Sequence, residues 1–107
     1  MAENSLTVFT PTYNRAHLLG RVYESLCQQT CQNFEWLVID DGSTDNTREI
    51  IAQYIAEQRI AIRYIWKENG GLYTGYNTAY ANITSPLNVC IDSDDFMPEN
   101  AVELILQ

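Results

Sequence analysis

Positive charge is scarce in this chain of 107 residues. One lysine, Lys67, and five arginines stand against fourteen Asp and Glu residues, for a net charge of −8 at pH 7. A basic nucleic-acid footprint is therefore missing, as is a polybasic patch for an anionic membrane. Proline and glycine are few, at three and five residues, and no Pro/Gly/Ser-rich linker or low-complexity segment divides the chain. The single histidine, His17, lies in a helical pattern and has no partner of its kind for a His-based centre. No apolar run approaches the roughly 18 residues of a membrane span, and the N-terminus lacks a signal-peptide pattern. Cysteine is limited to Cys27, Cys31 and Cys90. An odd number without C-x-x-C spacing reads as free thiols in a reducing cytosol.

What remains is ordinary globular composition. The hydrophobic share of 46% and charged share of 19% exclude an intrinsically disordered chain. The length predicts one domain, residues 1–107, able to bury about 65% of its unfolded surface. Periodicity then alternates along the chain. Leu6–Thr10 is a short β-rich run, followed by Leu18, Leu19, Val22, Tyr23 and Leu26 at helical spacing. Phe34–Asp40 is a second strand, and Asn46 with Glu49 forms a capping-box variant ahead of Ile50, Ile51, Tyr54 and Ile55. Ile60–Trp66 is a third strand, Tyr73–Ala81 a weaker helix, and Leu87–Asp92 a fourth strand; Pro98 opens a last helix that runs to the end of the chain. Strands alternating with helices predict an α/β fold: a mostly parallel, Rossmann-like sheet with helices on both faces.

In such sheets ligands bind beyond the carboxyl ends of the strands. Those ends carry Thr10–Asn14, Asp40–Ser43, Lys67–Gly71 and Asp92–Asp95, so polar groups collect at one rim. Asp92 and Asp94 can face one hard cation, Mg²⁺ or Mn²⁺, which keeps waters and substrate phosphates as its other ligands. The same run also fits a solvated acidic loop, with Asp95 favoured near a helix start. Ser43, Gly42 and Asn46 read as turn and cap residues. Two consecutive acids, Asp40 and Asp41, need a further reason, and accepting from a base N–H or a ribose hydroxyl supplies one. Tyr13 offers a flat face for a base, while Asn14 fits a helix N-cap. Asn69-Gly70-Gly71 reads as a plain loop, although glycines entering a helix also let a diphosphate approach the backbone. Asn82-Ile83-Thr84 matches a glycosylation sequon, with nothing else pointing to secretion.

Taken together, TPTYNRAHLL, SLCQQTCQNFEWLVIDDGSTDNT, ENGGLYTGYNTA and VCIDSDD give a run from Leu6 to Leu104 that resembles the N-terminal, nucleotide-binding half of the family 2 glycosyltransferases of GT-A fold. The resemblance implies transfer of a sugar from a nucleotide-diphosphate sugar, a uridine-diphosphate sugar being the expected donor, to a glycan or polysaccharide acceptor. Inversion at the sugar and assistance by Mg²⁺ or Mn²⁺ are implied with it. Carried over by position, Pro11 and Tyr13 flank the base, and Asp41 accepts from it with Asp40 nearby. Asp92 serves the ribose and the metal, and Asp94 the metal, with Asp95 as a substitute. Tyr76 stands where many members carry an arginine, so a cationic contact to the donor is missing or supplied elsewhere. The family's catalytic base lies downstream of the D-x-D run, so no catalytic residue is assigned and the chain is expected to hold the donor half alone. Two rivals stand beside this reading: a non-catalytic nucleotide-binding module, and a Mg²⁺-binding receiver-like signalling domain. The expected location is cytoplasmic, with a longer protein at the inner face of the membrane. An exposed sheet edge at the fourth strand is expected to invite self-association.

Overall fold

The structure is a computed structural model and describes residues 5–107. Eight elements alternate: β1 (Leu6–Thr12), α1 (Ala16–Cys27), β2 (Phe34–Asp40), α2 (Thr47–Glu57), β3 (Ala61–Trp66), α3 (Leu72–Asn82), β4 (Leu87–Cys90) and α4 (Ala101–Ile105). All strand pairs are parallel, in the order β3-β2-β1-β4. The expected α/β architecture is therefore present. The chain steps outward from β1 to β3, then α3 carries it back to the far side of β1. With right-handed crossovers, that reversal sends α3 to the opposite face from α1 and α2. In a receiver-like, flavodoxin-type sheet β3 would lie beside β1; here it lies beside β2, which removes the signalling alternative.

Strand alternation divides the core in two. Leu6, Val8, Trp36 and Val38 face α1, α2 and α4 with Leu19, Val22, Tyr23, Leu26, Ile51 and Val102. Phe9, Leu37 and Ile39 face α3 and pack on Ala79. The buried Trp36 donates Nε1–H to Thr10 Oγ1 at 2.9 Å, so its one polar atom is satisfied inside the core. Gln29 fastens α4: its Nε2 donates to the Pro98 carbonyl at 2.7 Å and its Oε1 accepts from the Val102 N–H at 3.0 Å.

Several boundaries differ from the periodicity, each for a physical reason. β1 runs through Pro11 to Thr12. The Phe9 carbonyl faces β4 and accepts from Ile91, so by strand alternation Pro11, which has no N–H to give, faces the side on which β4 has already ended at Cys90. β4 closes at Cys90, two residues early, because its backbone turns at Asp92. α4 begins at Ala101 and ends at Ile105; Pro98 precedes it and belongs to the loop held by Gln29. At α2 the capping box does not form, since Asn46 makes no side-chain cap bond, and Ile55 is left exposed.

Candidate functional site

Two loops leave the ends of β1 and β2 side by side, and Asn14 ties them together. Its backbone is left-handed, at φ 52°, a conformation that asparagine tolerates better than most residues. Its Oδ1 accepts from the N–H groups of Thr44 (2.8 Å) and Asp45 (3.2 Å), while its own N–H donates to Ser43 Oγ at 2.8 Å. Asp45 completes the junction by capping two helices. Its Oδ2 accepts from the Ala16 N–H at 3.2 Å, at the start of α1; its Oδ1 accepts from Thr47 N–H at 3.1 Å and Thr47 Oγ1–H at 2.6 Å, at the start of α2. Asn14 is thus a bridge between loops, and the capping role passes to Asp45.

The two acids that close β2 turn to different partners. Asp40 is 1% exposed; its Oδ1 accepts from Ser43 N–H at 2.8 Å and its Oδ2 from the Tyr64 hydroxyl. Asp41 faces the loop after β3. Its Oδ1 accepts from Lys67 Nζ at 2.6 Å and Gly70 N–H at 3.0 Å, and its Oδ2 from Gly71 N–H at 3.0 Å. Burial pushes the Asp41 carboxyl up, but Lys67 and the two glycine amides outweigh it and hold the group below the usual carboxylate range. Gly71 has φ +92°, and a Cβ on Gly42 would lie 2.6 Å from the Asn69 backbone nitrogen. Glycine is therefore required at both positions for the loops to close on Asp41. The amides of Gly70 and Gly71 point at this carboxylate; they do not form the phosphate cradle that sequence reasoning considered.

These elements surround a cavity of about 430 Å³ at the carboxyl ends of the strands, where the strand order reverses between β1 and β4. Pro11, Thr12, Tyr13 and Arg15 line one wall, Asp41, Asn69, Gly71 and Gly75 another, and Asp92, Ser93 and Asp94 a third. Of the sequence-predicted residues, Pro11, Tyr13, Asp41, Asp92 and Asp94 meet here. Asp40, also predicted, is buried and not in the lining. Asp95 lies outside, in a turn closed by its N–H on the Asp92 carbonyl, and its Oδ1 accepts from Phe96 N–H. Tyr76 is not in the lining either; it packs edge-on against Phe9 and its hydroxyl accepts from Cys90 Sγ. Sequence reasoning missed Arg15 and Lys67. The lysine had a signal, being the only one in the chain and sitting directly after a strand opposite an acidic turn. Thr12 Oγ1, also in the wall, is the one buried side-chain polar atom without a partner among the described residues.

With this geometry in hand, comparison with known proteins is decisive for the family. The model of the glycosyl transferase family 2 matches residues 7–107. The chain belongs to glycosyl transferase family 2. It is 34% identical over 105 residues to the glycosyltransferase GlyA of Streptococcus pneumoniae, covering 98% of this chain and 15% of that protein. It is 35% identical over 101 residues to a chondroitin synthase of Escherichia coli, covering 94% and 15%. The fold superposes on S. aureus TarS 1-349 in complex with UDP-GlcNAc with a TM-score of 0.87, 27% identity, and coverage of 94% of this chain and 30% of that one. It matches the mannosyltransferase PcManGT of Pyrobaculum calidifontis, in complex with GDP-Man and Mn²⁺, with a TM-score of 0.84, 26% identity, and coverage of 100% and 34%. The chain thus spans about a seventh of these curated relatives and about a third of these solved structures.

A divalent cation, such as the Mn²⁺ of the PcManGT complex, is compatible with the donor set. Among the described residues no three His, Cys, Asp or Glu side chains converge as a closed metal cage. Asp92 and Asp94 nevertheless share the cavity wall. Two carboxylates with open positions suit Mg²⁺ or Mn²⁺, hard cations that take oxygen ligands and leave room for waters and substrate phosphate oxygens.

Proposed function

We propose that this chain is the donor-binding part of an inverting, metal-assisted glycosyltransferase that takes a nucleotide-diphosphate sugar and serves a glycan or polysaccharide acceptor. The observation that carries the reading is the convergence of Tyr13, Asp41, Asp92 and Asp94 on one cavity at the reversal of strand order. The UDP-GlcNAc and GDP-Man complexes of structurally similar proteins support a nucleotide sugar as ligand, with a uridine donor preferred here. In this reading the base lies between Pro11 and the ring of Tyr13, and a base N–H donates to Asp41. Asp92 accepts from the ribose and, with Asp94, would hold the cation. When bound, that cation would neutralise the diphosphate and the charge that grows on it as it leaves. Arg15 supplies a second positive group from the opposite wall, answering the absence of an arginine at Tyr76.

Calorimetric titration of nucleotide diphosphates with and without Mn²⁺ tests the reading. Affinity for UDP should rise with Mn²⁺, and Asp94→Ala should abolish that rise while leaving the circular dichroism spectrum unchanged, because a hard cation loses a charged oxygen ligand. Unchanged Mn²⁺-dependent affinity in the variant would remove Asp94 from the metal site. Binding without transfer in every longer form of the protein would favour a nucleotide-sensing module.

A further inference from the structure

Every proton of the Lys67 ammonium has an acceptor. Nζ donates to Asp41 Oδ1 at 2.6 Å, to the Glu68 carbonyl at 2.7 Å and to Thr74 Oγ1 at 2.8 Å. Thr74 Oγ1 in turn donates to the Gly71 carbonyl at 2.7 Å, and Gly71 N–H returns to Asp41 Oδ2. The ring runs from the end of β2 to the end of β3 and into the first turn of α3, and closes on a single carboxylate. Asn69 adds a bond from Nδ2 to the Asp41 backbone carbonyl at 3.0 Å. A surface ion pair between flexible side chains contributes little. This one is largely buried, with lysine and aspartate side chains 20% and 10% exposed, and its lysine is fixed by two further bonds.

We propose that Lys67 is a positioning residue that keeps Asp41 a fixed, acceptor-only carboxylate and thereby restricts the cavity to bases that present a ring N–H to it. The proposal rests on the nucleotide reading above. An ionised carboxylate has lone pairs and no proton to give. Uracil N3–H and guanine N1–H can donate to it. Cytosine N3 and adenine N1 are bare acceptors that would meet the carboxylate lone pair to lone pair, so selectivity comes from rejection as much as from attraction. Oδ1 is already occupied twice, by Lys67 and Gly70, whereas Oδ2 accepts from Gly71 alone and retains a lone pair for the ligand. The other charged groups near Asp41 are Asp40, which faces Tyr64 and Ser43, and Arg15, Asp92 and Asp94 in the remaining cavity walls. Among the described residues none of these is bonded to the Asp41 carboxylate, and Lys67 is its one ion-pair partner.

The test is calorimetry of UDP, CDP, GDP and ADP with Mn²⁺ at pH 7, on wild type, Lys67→Met, Lys67→Arg and Thr74→Val, with UDP repeated down to pH 5. Wild type should prefer UDP or GDP over CDP and ADP by at least about tenfold, the scale of one charged hydrogen bond. Lys67→Met should lose most of that preference and bind UDP more weakly still at pH 5, since an unclamped Asp41 takes up its proton at higher pH. Lys67→Arg should recover most of both. Thr74→Val, which frees the lysine without removing it, should shift both in the same direction by less, and it carries the test if Lys67→Met fails to fold. Undiminished preference in Lys67→Met or, where that variant fails to fold, in Thr74→Val, or an equal loss for all four nucleotides with the ratio kept, overturns the proposal. Equal binding of all four by wild type also overturns it and leaves the nucleotide reading standing. Binding of none of them overturns both.

Discussion

At the scale of the residue, the acids of this chain differ by what donates to them. Asp41 is buried and Asp45 is exposed, and desolvation raises each carboxyl; yet Lys67 with the glycine amides in one case, and Thr47 with the Ala16 amide in the other, bring both below the ordinary value of 3.8. A carboxyl with a depressed native pKa binds its proton more readily when unfolded. Stability from both residues is therefore complete above the unfolded value and drains away as pH falls through the native values. Urea midpoints should hold steady from pH 7 to about 5 and drop below about 4. Asp45→Ala should flatten that drop and cost about 2 kcal/mol at pH 7, because the first turns of two helices lose their acceptor at once. A loss no larger than that of an ordinary surface substitution would show that water replaces the cap.

Elements set what a residue can reach. Arg15 stands at the N-cap position of α1 without a side-chain cap bond, exposed on the cavity wall, and it makes no ion pair among the described residues. A guanidinium held there by the Asn14 bridge is placed for a diphosphate, which it can engage in two parallel hydrogen bonds. Arg15→Ala should weaken UDP binding about tenfold and leave uridine binding unchanged; Arg15→Lys should restore part of it. Equal losses for UDP and uridine would place Arg15 at the base. Elements were also where the sequence was most legible. β2 lies where periodicity puts it, because six of its seven residues are buried and bounded by turn chemistry. The helix starts were less so. Asn14 and Asn46 both look like caps in sequence, but the residue that caps α1 lies 29 positions away, and no local pattern reports a bond of that span.

For the molecule as a whole, the reversal of strand order makes the cavity, and this too was only half legible. Alternating elements implied a parallel sheet, and polar strand ends implied a rim. Which ends converge depends on β4 joining β1 and not β3, a choice made by packing α3 on Phe9, Leu37 and Ile39. The opposed fates of Asp40 and Asp41 were not legible at all, since adjacent residues at a strand end separate by side-chain direction. The carboxylates in the cavity lining are Asp41, Asp92 and Asp94. The first is clamped, and in the proposed reading the others serve the ribose and the cation. Glu99 and Glu103 are not in the lining. The 107-residue chain should accordingly bind donor without transferring sugar. Acceptor-dependent release of UDP above the rate of donor hydrolysis, followed by coupled assay, would assign one of these acids as base.

A chain with one lysine also has one ε-amine, and here that amine is locked. Amine-directed reagents need a free nitrogen lone pair, which Lys67 can offer only after giving up a proton and its place among three acceptors. Mild reductive methylation should therefore mark the α-amine first, with Lys67 following only as the loop after β3 opens. Mass-spectrometric tracking of methylation at Lys67, read on the peptide that contains it, would time that opening, and nucleotide should slow it. Scarcity of positive charge, which at first only excluded partners, turns the chain into its own single-site probe.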